Sequence, residues 1–457
     1  MTRHLSSMLA ATLAAAALAG CANRKLEHIA ATTTDGRLVS IDSVTSSYQS
    51  SGITVIQRHN AANPIVAVDV YLLGGLREVT AATQGIEALA LTASQYGTAK
   101  YPGGAARAAL GHTGSRIVVG PEEDWTTYGF RGIREEFDST WNVFADRLMH
   151  PTLTGRDVKT TRNRMIGGVR QRFNSPDGAI TAIADSFAFN GHPYAFNPYG
   201  TERSLASLDS AAVARFVAER MMRSRMLVVV VGNVDRPTVE RAIARTFAEL
   251  PLGSYQWTLP ERAKLPGSRA LLVQRPMATG YLLGMYQGPP ASAGDYQSFR
   301  VAVAFLGSLV SQAVREEQGL SYAAYAPFVD RGIGAGGLYV STSKPVQALD
   351  EMHRQVQRMR EFPDDYPMYA FTSQFVFDYL AKNSTSADQA AALARAQLYR
   401  GDYKVAMREM DEMRRVSAAS ISTAARRYFT NMQFVYLGDT SRVGPELRKA
   451  MQRVAAQ

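Results

Sequence analysis

The chain has 457 residues, 46% of them apolar, and a formal net charge of +10, which is material for roughly two to three domains with real cores. Its single cysteine, Cys21, excludes an intramolecular disulfide. The basic residues are dispersed rather than gathered into a stripe, so the charge reads as a solvated surface and not as a nucleic-acid interface.

In chain order, Arg3 and His4 precede an apolar, alanine-rich run from Met8 to Ala19. The run is shorter than the roughly 20 residues a membrane span needs and has the layout of a secretion signal. It ends Leu18-Ala19-Gly20-Cys21, which resembles a bacterial lipobox. Residues 1–20 are therefore expected to be a signal peptide and Cys21 the lipid-bearing first residue of the mature chain. Ala22, rather than Asp, favours the outer membrane, facing the periplasm. Residues 21–37 read as a tether.

Residues 38–250 form a first expected domain. It opens with a strand pair around GITVIQRHN and PIVAVDVYLLGG, continues with a helix near residue 88, and then has a hairpin over RIVVGPEEDWTTYGFRG. Helices are expected over 133–148, 154–173, 177–190 and 207–222, and MLVVVVGNVD is a buried strand. Residues 251–268 hold three Pro and two Gly and read as a linker. In residues 269–457 the pattern repeats: TGYLLGMYQGPP echoes VAVDVYLLGG, and FVYLGD echoes VVVVGNVD. The expected class is α+β, with two homologous sheet-plus-helices domains.

The segment GGLREVTAATQGIEALALTASQYGT resembles the part of the pitrilysin/insulinase family that carries a His-x-x-Glu-His zinc helix. Gly85, Gly97 and Thr98 keep their places without a gap. The two His positions fall on Ala88 and Thr92, and the catalytic Glu on Leu91. On a helix these three share a face, which is how two imidazoles hold one zinc and a carboxylate works on its bound water. Alanine and leucine offer no lone pair, and a threonine hydroxyl is a poor zinc ligand. The third ligand, a Glu from a later helix, falls by resemblance at Gly167 or Gly168, and no Asp or Glu occurs between Asp157 and Asp177. No metal ligand set is expected in this chain.

A second family signature is intact. AVREEQGLSYAAY places Arg315 and Tyr322 seven residues apart with Gly319 and Leu320 between them. In the family such a pair reaches the substrate. Arg forks onto carbonyl or carboxylate oxygens, and a Tyr hydroxyl donates to a developing oxyanion. The preceding segment FLGSLVSQAVRE is several residues shorter than the family's.

Taken together, the resemblance implies half of a clamshell: a catalytically incomplete lipoprotein subunit that complements a homologous zinc-bearing partner in a heterodimeric periplasmic peptidase. Zinc is then expected in the partner, with Arg315 and Tyr322 as substrate-binding residues. Two alternatives stand beside it: a non-enzymatic scaffold or peptide-binding subunit of the cell envelope, and an independent zinc metalloendopeptidase with a displaced site. Minor features read blandly. GPEEDW is a solvated turn, His192 shapes its loop, Arg162, Arg164, Arg170 and Arg172 make a polar helix face, and RGIGAGGL is a strand turn.

Overall fold

The computed structural model describes residues 31–32, 38–39, 44–265 and 267–455; the signal, Cys21 and most of the tether lie outside the described residues. Within the unit formed by residues 1–46, Ala31–Thr32 pairs antiparallel with Leu38–Val39. The unit Ser47–Gln457 holds two six-stranded sheets and their helices.

The first sheet comprises β1 (Thr45–Ser50), β2 (Ile53–His59), β3 (Ile65–Leu73), β4 (Arg116–Pro121), β5 (Trp125–Ile133) and β6 (Met226–Gly232), in the order β1-β2-β6-β3-β5-β4. β2 and β6 run parallel, with Thr54 opposite Leu227. β6 is antiparallel to β3, β3 to β5, and β5 to β4. The expected pairing of β2 with β3 is corrected: β6 sits between them. A parallel neighbour needs a long crossover, and the helices of the first half supply it. These are α1 (Ile86–Ala93), α2 (Ala105–His112), α3 (Phe137–Met149), α4 (Gly155–Asn174), α5 (Pro176–Ala188), α6 (Glu202–Ser207) and α7 (Ser210–Arg220), with α8 (Arg236–Ala244) after β6.

The second sheet comprises β7 (Arg269–Gln274), β8 (Gly280–Pro290), β9 (Ala323–Tyr325), β10 (Phe328–Val329), β11 (Ile333–Thr342) and β12 (Gln433–Gly438). Its order is β9-β11-β8-β12-β7, with β10 also on β11. Here β7 and β12 are the parallel pair, and the other pairings are antiparallel. Strand for strand this repeats β4-β5-β3-β6-β2, so the echoes in the sequence correspond to equivalent strands. The helices of this half are α9 (Tyr296–Val310), α10 (Pro345–Arg360), α11 (Tyr369–Lys382), α12 (Ser386–Arg400), α13 (Val405–Arg414), α14 (Ala418–Tyr428) and α15 (Pro445–Ala455).

β6 reads as an unbroken apolar run because both of its faces are covered. Val228 and Val230 join Phe137, Trp141 and Phe144 of α3 in one core. Leu227, Val229 and Val231 face the other way, into a core with Ala390, Leu393 and Ala394 of α12. The second sheet is treated the same way. Phe434 and Tyr436 of β12 pack among its own helices, while Val435 and Leu437 meet Ala179, Ile180 and Ala184 of α5. Each half thus lends one helix to the open face of the other half's sheet.

RGIGAGGL is not a turn. Its Ile333–Leu338 lies inside β11, and the glycines make room for rings. A Cβ on Gly336 would sit 2.5 Å from the Tyr286 ring, and one on Gly334 3.0 Å from that of Tyr296.

Candidate functional site

α1 begins at Gly85, whose φ of 88° lies in the left-handed region that glycine tolerates. A Cβ there would meet the Gly200 backbone at 2.7 Å. The loop around Gly200 clasps this start: Asn197 N–H donates to Gln84 Oε1 (2.9 Å) and Ser204 Oγ to Gln84 O (2.9 Å). Past the helix, Gly97 (φ 136°) turns the chain, and Thr98 bonds the Asp146 carboxylate of α3. The retained frame residues are therefore architectural. They fix the position of α1 whatever chemistry it carries.

Ala88 and Leu91 are buried, at 2% and 4% exposure. Leu91 points into the core of the first sheet, in the cluster with Tyr128, Phe144 and Leu148, so apolar packing occupies the place of a general base. Thr92 is half-buried. Glu87, one residue off the frame, is committed elsewhere: Oε1 pairs with Arg225 at 3.1 Å and Oε2 accepts from Thr126 at 2.6 Å. Arg225 is itself buried and also donates to Leu73 O at 2.8 Å.

α4 packs on α1, so the fold does bring the two zinc-bearing elements of the frame together. Gly167 and Gly168 are exposed on α4, with open space where a Cβ would be. The helix continues through them to Asn174. Ala88, Leu91, Thr92 and Gly168 give a zinc ion nothing to bind, and among the described residues no three His, Cys, Asp or Glu side chains converge. The donor set does not fit the metal. Of the polar face on α4, Arg170 pairs with Glu202, Arg162 donates to Leu208 O (2.9 Å) and Arg164 to Tyr96 Oη (3.1 Å).

Arg315 and Tyr322 are carried by the second half. α9 widens into π-helical turns over Ser311–Glu317, a rare geometry that recurs at functional sites. The chain reverses at Gly319 (φ 59°). Ser321 Oγ donates to Ser341 O (2.7 Å) and Thr342 Oγ1 to Leu320 O (2.7 Å), which pins the loop to β11. Arg315 is exposed and Tyr322 is 94% exposed, just ahead of edge strand β9. Neither bonds to another described residue, so both present free donors to solvent.

A polar cluster between the halves has no local signature in the sequence, and it corrects the reading of GPEEDW as a solvated turn. Asp124 is 1% exposed. Its Oδ2 accepts from Tyr194 Oη (2.7 Å), Tyr399 Oη (2.9 Å) and Gly332 N–H (3.2 Å). Arg331, 1% exposed, lies between the rings of Phe189 and Tyr194, at 4.3 and 4.4 Å. Asp185 and Glu123 stand 3.6 and 3.7 Å from its guanidinium. Burial lifts the Asp185 carboxyl from its ordinary 3.8 to about 6; Arg331 opposes the shift and Glu123 adds to it. His192 holds its loop, taking Tyr194 N–H on Nδ1 (3.1 Å) and facing Glu261 O with Nε2 (2.9 Å). Burial depresses its pKa.

The family described as "Peptidase M16 inactive domain" matches residues 207–367. The uncharacterized zinc protease YmxG of Bacillus subtilis is 20% identical over 287 residues, covering 60% of this chain and 68% of that protein. The mitochondrial-processing peptidase subunit beta of Blastocladiella emersonii is 21% identical over 285 residues, 62% of this chain and 61% of its own length. The chain thus spans about two thirds of these relatives. Among solved structures, the peptidase M16 inactive domain from Pseudomonas fluorescens superposes with a TM-score of 0.78 at 18% identity, over 86% of this chain and 98% of the other. A protease from Helicobacter pylori gives 0.77 at 18% identity, over 86% and 99%. At these identities the likeness to the solved structures is one of fold.

Proposed function

The chain is an inactive-type, peptidase-like member of the pitrilysin/insulinase family, and from that premise we propose that it serves as the complementing subunit of a two-chain peptidase. The observation that supports this reading is a contrast between the two signatures. The positions for zinc and general base are packed shut or empty, at Ala88, Leu91, Thr92 and Gly168. Arg315 and Tyr322, by contrast, stand free in solvent on a pinned loop. An unpartnered Arg and Tyr contribute little to stability, and a purely structural subunit has no use for them.

In this reading a homologous zinc-bearing chain closes against this one, and a peptide lies between them. Arg315 forks onto a peptide carbonyl or carboxylate and fixes its register. The Tyr322 hydroxyl donates to the oxygen that gains charge as the scissile carbonyl is attacked in the partner's site. Loss of one such donor costs about 100- to 1000-fold in rate. With the partner present, Arg315→Ala or Tyr322→Phe lowers peptide turnover while co-purification is unchanged. Full activity of both assembled variants would remove this role and leave a scaffold.

The proposed location is the outer membrane, with the protein anchored through lipid on Cys21 and facing the periplasm, supported by the run ending Leu18-Ala19-Gly20-Cys21. Cys21→Ser should move the protein from the membrane to the soluble fraction. Retention of the variant in the membrane would contradict the anchor.

A further inference from the structure

Just beyond the Tyr322 loop, strands β9 and β11 meet the start of α5 in a ledge that is both aromatic and acidic. Tyr325 and Tyr339 are register partners on the two strands, and their rings stack at 4.6 Å with an interplanar angle of 27°. Tyr339 is buried, whereas Tyr325, on the edge strand, is 46% exposed. Tyr339 thus covers only one face of the Tyr325 ring. The Tyr339 hydroxyl donates to Oδ1 of Asp177, in the first turn of α5. Asp177 is exposed, and its Oδ2 has no partner among the described residues.

The carboxylate is not neutralised. An acid is favourable in the first turn of a helix, and the bond to Tyr339 occupies one of its oxygens, but neither supplies a counter-charge. The guanidinia around the turn from α4 to α5 are engaged elsewhere. Arg275 donates to the Phe173 and Asn174 carbonyls at 3.3 and 2.9 Å, and Arg172 lies over the Tyr199 ring at 4.9 Å. Burial, and then the Asp177 charge, raise the pKa of the Tyr325 hydroxyl, and no cation opposes them. The ledge is therefore locally negative on a chain whose net charge is +10. An exposed tyrosine ring attracts a cation that comes within about 6 Å of its centroid, and a free carboxylate oxygen accepts a charge-assisted hydrogen bond. An apolar side chain would use the ring and leave the carboxylate unmet. A calcium or magnesium ion would find one carboxylate and too few further oxygens.

We propose that Tyr325 and Asp177 form a subsite for a basic peptide side chain, with the guanidinium or ammonium of an Arg or Lys resting against the exposed Tyr325 ring and donating to Asp177. Tyr325 follows Tyr322 by three residues, at most about 10 Å along the chain, a span that about three residues of an extended peptide cover. The basic residue then sits about three residues from the carbonyl that meets Tyr322. That the ligand is a peptide rests on the two-chain reading; the preference for a cation is a property of this chain and is tested without the partner.

The experiment is calorimetric titration of the purified chain with a decapeptide, acetylated and amidated at its ends, that contains one arginine as its only charge, and with the same peptide carrying citrulline there. Citrulline keeps the shape and removes the charge. The arginine peptide should bind about fivefold more tightly or better. A basic chain repels cations at long range, so its overall field cannot produce this preference. Asp177→Asn, an exposed change whose amide oxygen can still accept from Tyr339, should reduce the ratio to less than about twofold. Tyr325→Ala should reduce it as well, whereas Tyr325→Phe, which keeps the ring, should retain it. Equal binding of the two peptides, or a preference unchanged in Asp177→Asn, would overturn the subsite and leave the peptide reading standing. No binding of either peptide would overturn both.

Discussion

Leu91 and Thr92 are adjacent in the sequence and equally degenerate as zinc-site residues, yet they face different surroundings. Leu91 is sealed among Tyr128, Phe144 and Leu148, whereas Thr92 is half-buried at the helix surface. Restoring the family residue should therefore cost very different amounts. Leu91→Glu places a carboxylate in an apolar core without a partner and should lower stability at pH 7 by about 3 kcal/mol or more. Thr92→His should change it by less than about 1 kcal/mol. Urea unfolding of the two variants measures this. Equal, small costs would mean that the Leu91 position is still open enough for chemistry. The losses at positions 88, 91 and 92 were legible in the sequence because that part of the site is local, three positions on one helix face. The reason Gly85 persists was not legible, since it lies in the approach of Gly200, more than a hundred residues away.

Among the elements, α5 shows how one segment can be structural and titratable together. It covers β8, β11 and β12 with Ala179, Ile180 and Ala184, and it brings Asp185 to Arg331. A carboxyl whose folded pKa is raised favours the folded state when protonated. Its contribution is complete below about 4 and is lost as pH rises through about 6. Asp185→Asn cannot ionise, so its stability relative to the natural chain should improve steadily between pH 4 and pH 7. A relative stability independent of pH would mean that Asp185 has an ordinary pKa. The strands and most helices were readable from periodicity, and β6 from its apolar run. β11 was misread because its glycines look like a turn until the rings of Tyr286 and Tyr296 are placed against them. Asp124 was misread for the same physical reason: an acidic hairpin is solvated in isolation, and here Tyr399 arrives from 275 residues downstream to bury it.

At the scale of the whole molecule, the exchange of α5 and α12 between sheets makes each half incomplete without the other, and the Asp124–Tyr399 and Arg331–Asp185 contacts lie where the two meet. The duplication was legible as repeated strand patterns, but the exchange was not, because both helices read as ordinary amphipathic segments. The architecture superposes on that of the peptidase M16 inactive-domain structure, and Leu91 of α1 is packed into core where the family frame would put a catalytic Glu. The measurement that tests this most directly is zinc content and peptide hydrolysis of the purified chain, first alone and then mixed with a co-encoded relative that retains His-x-x-Glu-His. No bound zinc and no hydrolysis are expected from the chain alone, and hydrolysis on mixing should fall about 100-fold or more in Arg315→Ala. Stoichiometric zinc with hydrolysis by this chain alone would contradict this reading.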